Sequence, residues 1–321
     1  MNSKIILIVL GEPNSIFSEV LFKYFKSKKF SKNNNKIVLV GSKKLLTKQM
    51  KLLKYNFYIN EIINIKEALT KKINLVNINY LFKNAFSTIN STSNRYIENS
   101  FKKAIELIKK NKLSILINGP VSKTHFLKKK FPGITEYVAS KTSSKNPVML
   151  IYNDKLAVTP LTTHIPIKDV SKHVKKKIII KNITKLNKFY KSKLKKTPKF
   201  AILGLNPHCE STDKISEEKK EIIPAIQNLN RNKIKVSGPF PADTFFLNKN
   251  IKKFDVVMGM YHDQVLTPIK TLFKFEAINI TIGLPFIKIT PDHGPNQDMI
   301  GKNKSDPSSI FYALNFLNKI K

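Results

Sequence analysis

Three histidines each stand directly after an apolar run: His164 in "LTTHIP", His208 in "LNPHCE" and His262 in "MYHDQ". Neutral imidazole is the commonest transition-metal ligand, and three of them leave coordination positions open for water or substrate. Such a set suits a catalytic divalent ion such as zinc, cobalt or manganese. The three are 44 and 54 residues apart, which is no local metal box, so a shared centre requires three separate segments to converge. Catalytic ligands do come from different strands; taken singly, each is as readily a structural or loop histidine. His125 and His173 lie among lysines and read as surface residues. Cys209, beside His208, reads equally as a passive neighbour or a nucleophile. No Walker loop, nucleophile elbow, CxxC pair or G-x-G-x-x-G competes for the chemistry.

The elements that must position these residues alternate between short β-rich runs and longer helical patterns, the mark of an α/β architecture. "KIILIVL", "NKIVLV", "LSILING", "NPVMLIY", "LAVTPL", "KFAILGL", "FDVVMGM" and "AINITIG" read as strands. "SIFSEVLFKYFKSKKF" and "SFKKAIELIKKNK" have helical spacing, and a long basic helix is expected over residues 172–195. The polar motifs sit where strands end: "INGPVSK", "TPLTTHIPI", "LGLNPHCE", "MGMYHDQ" and "NITIGLPF". In open α/β sheets ligand sites collect at the carboxyl ends of strands, so these ends point to one shared site.

The chain's 321 residues suffice for one large or two ordinary domains. Its single cysteine excludes an internal disulfide framework and fits a reducing compartment. The apolar start "KIILIVL" is a first strand rather than a signal peptide, and no run reaches the length of a membrane span, so a cytoplasmic protein is expected. A net charge of +37 suggests nucleic acid. However, only Arg95 and Arg231 are arginines, and the lysines are spread along the whole chain. A dedicated reader of phosphates and base edges would use arginine forks. Neither nucleic acid nor a membrane is expected as partner, although the lysine field can attract small phosphorylated anions.

Read together and in order, "GEPNSI", "INGPVSK", "FPGITEYVA", "TTHIPI", "LGLNPHCE", "GPFPADTFF", "YHDQVLTPIK" and "NITIGLPFIKITPDHG" resemble the 4-hydroxythreonine-4-phosphate dehydrogenase family. The resemblance runs from about residue 11 to residue 310. It implies a two-domain α/β fold like that of the isocitrate and isopropylmalate dehydrogenases, with the active site in the interdomain cleft. NAD is held in that fold without a glycine fingerprint. No clean linker marks a boundary; the expected division is residues 1–130 plus about 290–321, then 131–289 with most metal and substrate residues. The resemblance further implies a homodimer whose active site is shared between subunits. It places the metal ligands at His164, His208 and His262, the last from the other subunit, and the substrate contacts at Thr135, Lys270, Asn279 and Lys288. One divalent ion (zinc, magnesium or cobalt) per site is implied. Two positions depart from the family: Ile134 stands where it has His, and Lys288 where it has Arg. Isoleucine donates no hydrogen bond and lysine loses the bidentate fork.

The activity so implied is a step of pyridoxine 5'-phosphate synthesis. 4-Phosphooxy-L-threonine is oxidised by NAD, with metal assistance, to a 2-amino-3-oxo acid phosphate, which decarboxylates to 3-amino-2-oxopropyl phosphate. Asp263 can orient a ligand histidine or act as an acid–base group, and Asp243 in "PADT" is either catalytic or a helix N-cap. Thr135 and Glu136 can equally form a first helical turn, and Asp292 and His293 are candidates for a cofactor-side loop. Asn279 is an unexpected amide within a strand unless a ligand or neighbour satisfies it. Two alternatives stay open: a dehydrogenase of a four-carbon sugar-acid phosphate, and a three-histidine metallohydrolase that does not use NAD.

Overall fold

The computed structural model describes residues 3–128, 130–210, 216–247, 251–274, 276–291 and 293–320. The chain begins with β1 (Ile5–Val9), α1 (Phe17–Lys26), β2 (Lys36–Gly41), α2 (Lys43–Leu52), β3 (Ile59–Glu61) and β4 (Ile73–Asn77). α3 (Asn94–Asn111), β5 (Ile115–Asn118), α4 (Ile134–Lys141), β6 (Val148–Tyr152), β7 (Ala157–Pro160) and α5 (Lys176–Phe189) follow. Next come β8 (Phe200–Leu203), α6 (Ile223–Arg231), β9 (Val236–Phe240), β10 (Val256–Gly259) and α7 (His262–Phe273). β11 (Ile278–Ile282), β12 (Ile287–Pro291) and α8 (Ser308–Lys319) complete the longer elements.

The chain divides into two compact units, Met1–Pro147 with Leu284–Asn315 and Val148–Gly283 with Phe316–Lys321. In the first unit the strands are ordered β3-β4-β2-β1-β5-β12, and every pairing is parallel. Strands such as IILIV and KIVLVG are almost wholly buried, so they read as unbroken apolar runs rather than alternating ones. α3 buries Tyr96, Ile97, Phe101, Ala104 and Ile108, an i, i+4 stripe that packs with Leu7, Val38 and Leu116 in one apolar cluster. Gly11, two residues beyond β1, has φ +72, and an added Cβ there would lie 2.5 Å from the Pro120 carbonyl oxygen. "GEPNSI" and "INGPVSK" are thus held against each other, with the Glu12 N–H donating to the Pro120 carbonyl at 2.9 Å.

The second unit orders its strands β11-β6-β7-β10-β8-β9. β11 and β7 each pair antiparallel with β6, whereas β7, β10, β8 and β9 are mutually parallel neighbours. Gly259 lies opposite Pro160 and Met258 opposite Ile202, so the carboxyl ends of β7, β10 and β8 emerge side by side.

Each of the eight strands expected from the sequence is present. The basic helix expected over 172–195 is broken: a turn at Val170–His173 ends in extended backbone at Val174 and Lys175, and α5 starts at Lys176. "YHDQVLTPIK" is not a polar loop; Tyr261 is the N-cap of α7 and His262 its first residue. Residues 131–147 and 284–289, assigned to the second domain from sequence, belong to the first unit. The cause is packing and pairing: Tyr137 and Val138 of α4 join the first unit's apolar cluster, and β12 pairs with β5.

Candidate active site

The ends of β7, β10 and β8 are tied together by side chains. The Thr162 hydroxyl donates to the Met260 carbonyl at 2.7 Å. The Gln264 amide accepts from the Met260 N–H at 2.6 Å and donates to the Gly204 carbonyl at 2.8 Å, bridging the ends of β10 and β8. Gly259 leaves room for this bridge, since a Cβ there would meet Val265 at 2.6 Å and the Gln264 oxygen at 2.9 Å. Buried Glu218 grips the next turn, accepting from the backbone N–H groups of Leu205 and Asn206 at 2.8 and 2.9 Å. Although burial opposes ionisation of Glu218, hydrogen bonds from the Asn206 backbone and side chain hold its carboxyl below the usual range.

The three histidines hang from this tied edge. The His164 and His262 rings lie 5.9 Å apart, centroid to centroid. His262 Nδ1 donates to the Asp263 carboxylate at 2.7 Å, an arrangement that puts the ring's lone pair on Nε2. His208, on the third strand end, faces Asp243 with Nδ1 3.9 Å from Oδ2. Asp243 is not an N-cap, since that position is Pro241. His208 and Cys209 take consecutive left-handed conformations, φ 55 and 61, which cost on the order of 1–3 kcal/mol each and tend to occur at functional sites.

A divalent ion fits the donor chemistry of this edge: two adjacent imidazoles, one oriented by a carboxylate, and a third on the neighbouring strand end. Among the described residues of one chain, however, no three His, Cys, Asp or Glu side chains stand together as a metal-holding group.

Of the remaining candidates, Lys270 and Asn279 also belong to the second unit. Lys270 is exposed on α7, and the Asn279 side-chain oxygen on β11 is buried with no hydrogen-bond partner. In the first unit, Thr135 is buried in the first turn of α4, and its neighbour Ile134 packs on the apolar cluster. Lys288 on β12 is wholly buried; its ammonium donates to the Thr290 hydroxyl at 2.8 Å, which in turn donates to Asn118 Oδ1 at 2.9 Å. Desolvation lowers the Lys288 pKa to about 7, against a smaller opposing pull from Glu136. His293 Nδ1 donates to the Gly294 carbonyl at 3.0 Å, and its ring lies 5.8 Å from Phe17. Asp292 lies outside the described residues.

Sequence reasoning did not find Gln264, Thr162 or Glu218 as residues that shape the site. The only signal for Gln264 was its place within "YHDQ"; Glu218 lies in an ordinary helical pattern.

Solved structures with this fold span nearly the whole chain. A 4-hydroxythreonine-4-phosphate dehydrogenase from Klebsiella pneumoniae matches with a TM-score of 0.84 at 25% identity, covering 98% of this chain and 99% of its own. A terephthalate 1,2-cis-dihydrodiol dehydrogenase from Burkholderia xenovorans shares the fold at TM-score 0.65 and 17% identity, covering 99% and 98%. Fold and relatives together define an α/β dehydrogenase. A 4-hydroxythreonine-4-phosphate dehydrogenase of Sulfurihydrogenibium is 39% identical, over 96% of this chain and 95% of that one. An Oceanobacillus iheyensis protein provisionally named D-threonate 4-phosphate dehydrogenase is 30% identical, over 97% and 96%. Residues 33–317 match the family described as pyridoxal phosphate biosynthetic protein PdxA, and the chain belongs to that family. No helix among the described residues is long and apolar enough to cross a membrane.

Proposed function

We propose that the protein catalyses the NAD-dependent, metal-assisted oxidation of 4-phosphooxy-L-threonine at its secondary hydroxyl. The resulting 2-amino-3-oxo acid phosphate decarboxylates to 3-amino-2-oxopropyl phosphate. The observation that carries the reading is the tied edge of β7, β10 and β8, with the His164–His262 pair and the Asp263 hydrogen bond, in a chain of this family.

When bound, the ion supplies Lewis acidity where oxygen gains charge, and the dinucleotide accepts the hydride. His164 and His262, adjacent within one chain, hold the ion together with His208, and a second copy of the chain completes the set; the family resemblance instead takes His262 from that copy. Asp263 keeps the His262 proton on Nδ1. Asp243, beside His208, is the candidate to move the hydroxyl proton. Lys270 and Lys288 offset phosphate or carboxylate charge, while Thr135 and Asn279 orient the substrate by hydrogen bonds. The unpartnered Asn279 oxygen supports a ligand donor at that position. His293 belongs to the cofactor side, as does Asp292 by its place in "PDHG".

A second reading, oxidation of a four-carbon sugar-acid phosphate, draws support from Ile134, which has no donor for the family substrate, and from the name of the Oceanobacillus relative. Purified protein supplied with NAD, a divalent ion and 4-phosphooxy-L-threonine should form NADH and release carbon dioxide. NADH formation only with D-threonate 4-phosphate would select the second reading. Phosphate release without NADH would overturn both in favour of a hydrolase.

A further inference from the structure

The first unit carries a pocket of about 480 Å³ whose lining residues have no role in the chemistry described above. It is lined by Asn14 of "GEPNSI", Leu45 of α2, and the segment 80–92 after β4. One wall is aromatic, with Tyr80 and Phe82 stacked at 6.0 Å and 20° and Tyr80 backed by Tyr96 at 4.7 Å. The rest is amide and hydroxyl: Asn14, Asn84, Asn90, Ser87 and Thr92.

The polar floor is built rather than incidental. Buried Asn14 accepts from the Ser87 N–H at 2.9 Å. The Gln49 amide donates to the carbonyls of Pro13 and Ala85, both at 2.9 Å, clamping the two loops together. No lining residue is acidic, and Lys83 lines the pocket. Lys48 stands beside it, donating to the Lys83 carbonyl at 3.2 Å with its ammonium 5.6 Å from the Phe82 ring centre. The same two loops also contact the segment that bears His293. The Ile16 N–H donates to the Pro295 carbonyl at 3.1 Å, and an added Cβ at Gly301 would lie 3.4 Å from Phe86.

A planar wall, several amide and hydroxyl groups, and a cationic lip without carboxylates match a nucleoside bearing a diphosphate. Stacking tolerates any base, amides and hydroxyls satisfy ribose and base edges, and lysines meet the phosphates. We propose that this pocket receives the adenosine diphosphate half of the dinucleotide, against Tyr80 and Phe82 and beside Lys83. The assignment rests on the NAD-dependent reading.

ADP-ribose, which lacks the nicotinamide, is the probe. Calorimetry should show it binding to the full-length protein. Ser87→Trp, an exposed lip substitution, should weaken that binding about tenfold or more, and Lys83→Glu should do the same. Both variants should keep the wild-type circular dichroism spectrum and the KM for the phosphorylated substrate while raising the KM for NAD. Unchanged ADP-ribose affinity in both variants would overturn the assignment. Inorganic pyrophosphate binding as tightly as ADP-ribose would also overturn it, because the site would then be an anion groove only. Wild-type protein that binds ADP-ribose in a Ser87-sensitive way yet forms no NADH would retain the pocket and refute the dehydrogenase reading.

Discussion

The histidine edge of the second unit and the Lys288 position of the first solve opposite physical problems. His208 and Asp243 sit in water, their side chains 73% and 55% exposed, and the turn leading to His208 is held by Glu218. Lys288 is 0% exposed and donates to one hydroxyl. An exposed ligand set keeps its donors available at little desolvation cost but needs second-layer side chains to fix it. A buried cation is fixed by packing, and its charged form is penalised. Both regions come from motifs of similar appearance, polar residues in or just after apolar strands.

The largest effect expected on this contrast is at the edge. His208→Ala and His262→Ala should each lower kcat on the order of a thousandfold while the chain stays folded. If two subunits share the centre, mixing the two variants with subunit exchange should restore about a quarter of the activity, since half the dimers carry one intact site. No recovery would place His208 and His262 of each site on the same chain.

Gln264→Ala, which cuts the bridge between the ends of β10 and β8, should lower metal affinity about 10- to 100-fold without removing a ligand. Metal affinity equal to wild type would show that the edge is fixed by other means.

The buried lysine yields a pH signature. Because burial brings the folded pKa of Lys288 down to about 7, the folded state binds fewer protons than the unfolded one above that pH. The penalty is fully present below about pH 7, and stability rises with pH above it, by at most about 1.4 kcal/mol per unit. Lys288→Met should therefore be the more stable protein at pH 6 in urea unfolding and should lose that slope. A Met variant less stable than wild type at pH 6 would mean that the ammonium is well solvated or paired.

The smallest effect is expected at Ile134. Ile134→His should lower the KM for 4-phosphooxy-L-threonine a few-fold while costing about 1 kcal/mol of packing in the first unit's apolar cluster. An unchanged or raised KM would point to the sugar-acid substrate.

Much of this was legible in the residues. The apolar runs ending in His164, His208 and His262 are strands, and they prove to be adjacent parallel ones, which spacing alone could not reveal. β3, β4, β9 and β12 were not read as strands: β3 is three residues long, β4 (INLVN) carries Asn74 and Asn77, β9 contains Gly238 and Pro239, and β12 carries Lys288 and Thr290 within the strand. The burial of Lys288 was hidden too, because a lysine in so lysine-rich a chain reads as solvated surface. Gln264 escaped notice because its bridge is a tertiary contact, 60 residues from Gly204 in sequence.

The central claim is that His164, His208 and His262 serve one metal centre. Cobalt(II) titration, followed by the visible absorption of the bound ion, tests it most directly on wild type and the three single alanine variants. One ion per chain in wild type, with binding weakened in every variant, is the predicted result. A His208→Ala protein that binds cobalt as wild type does, with the same spectrum, would contradict the account.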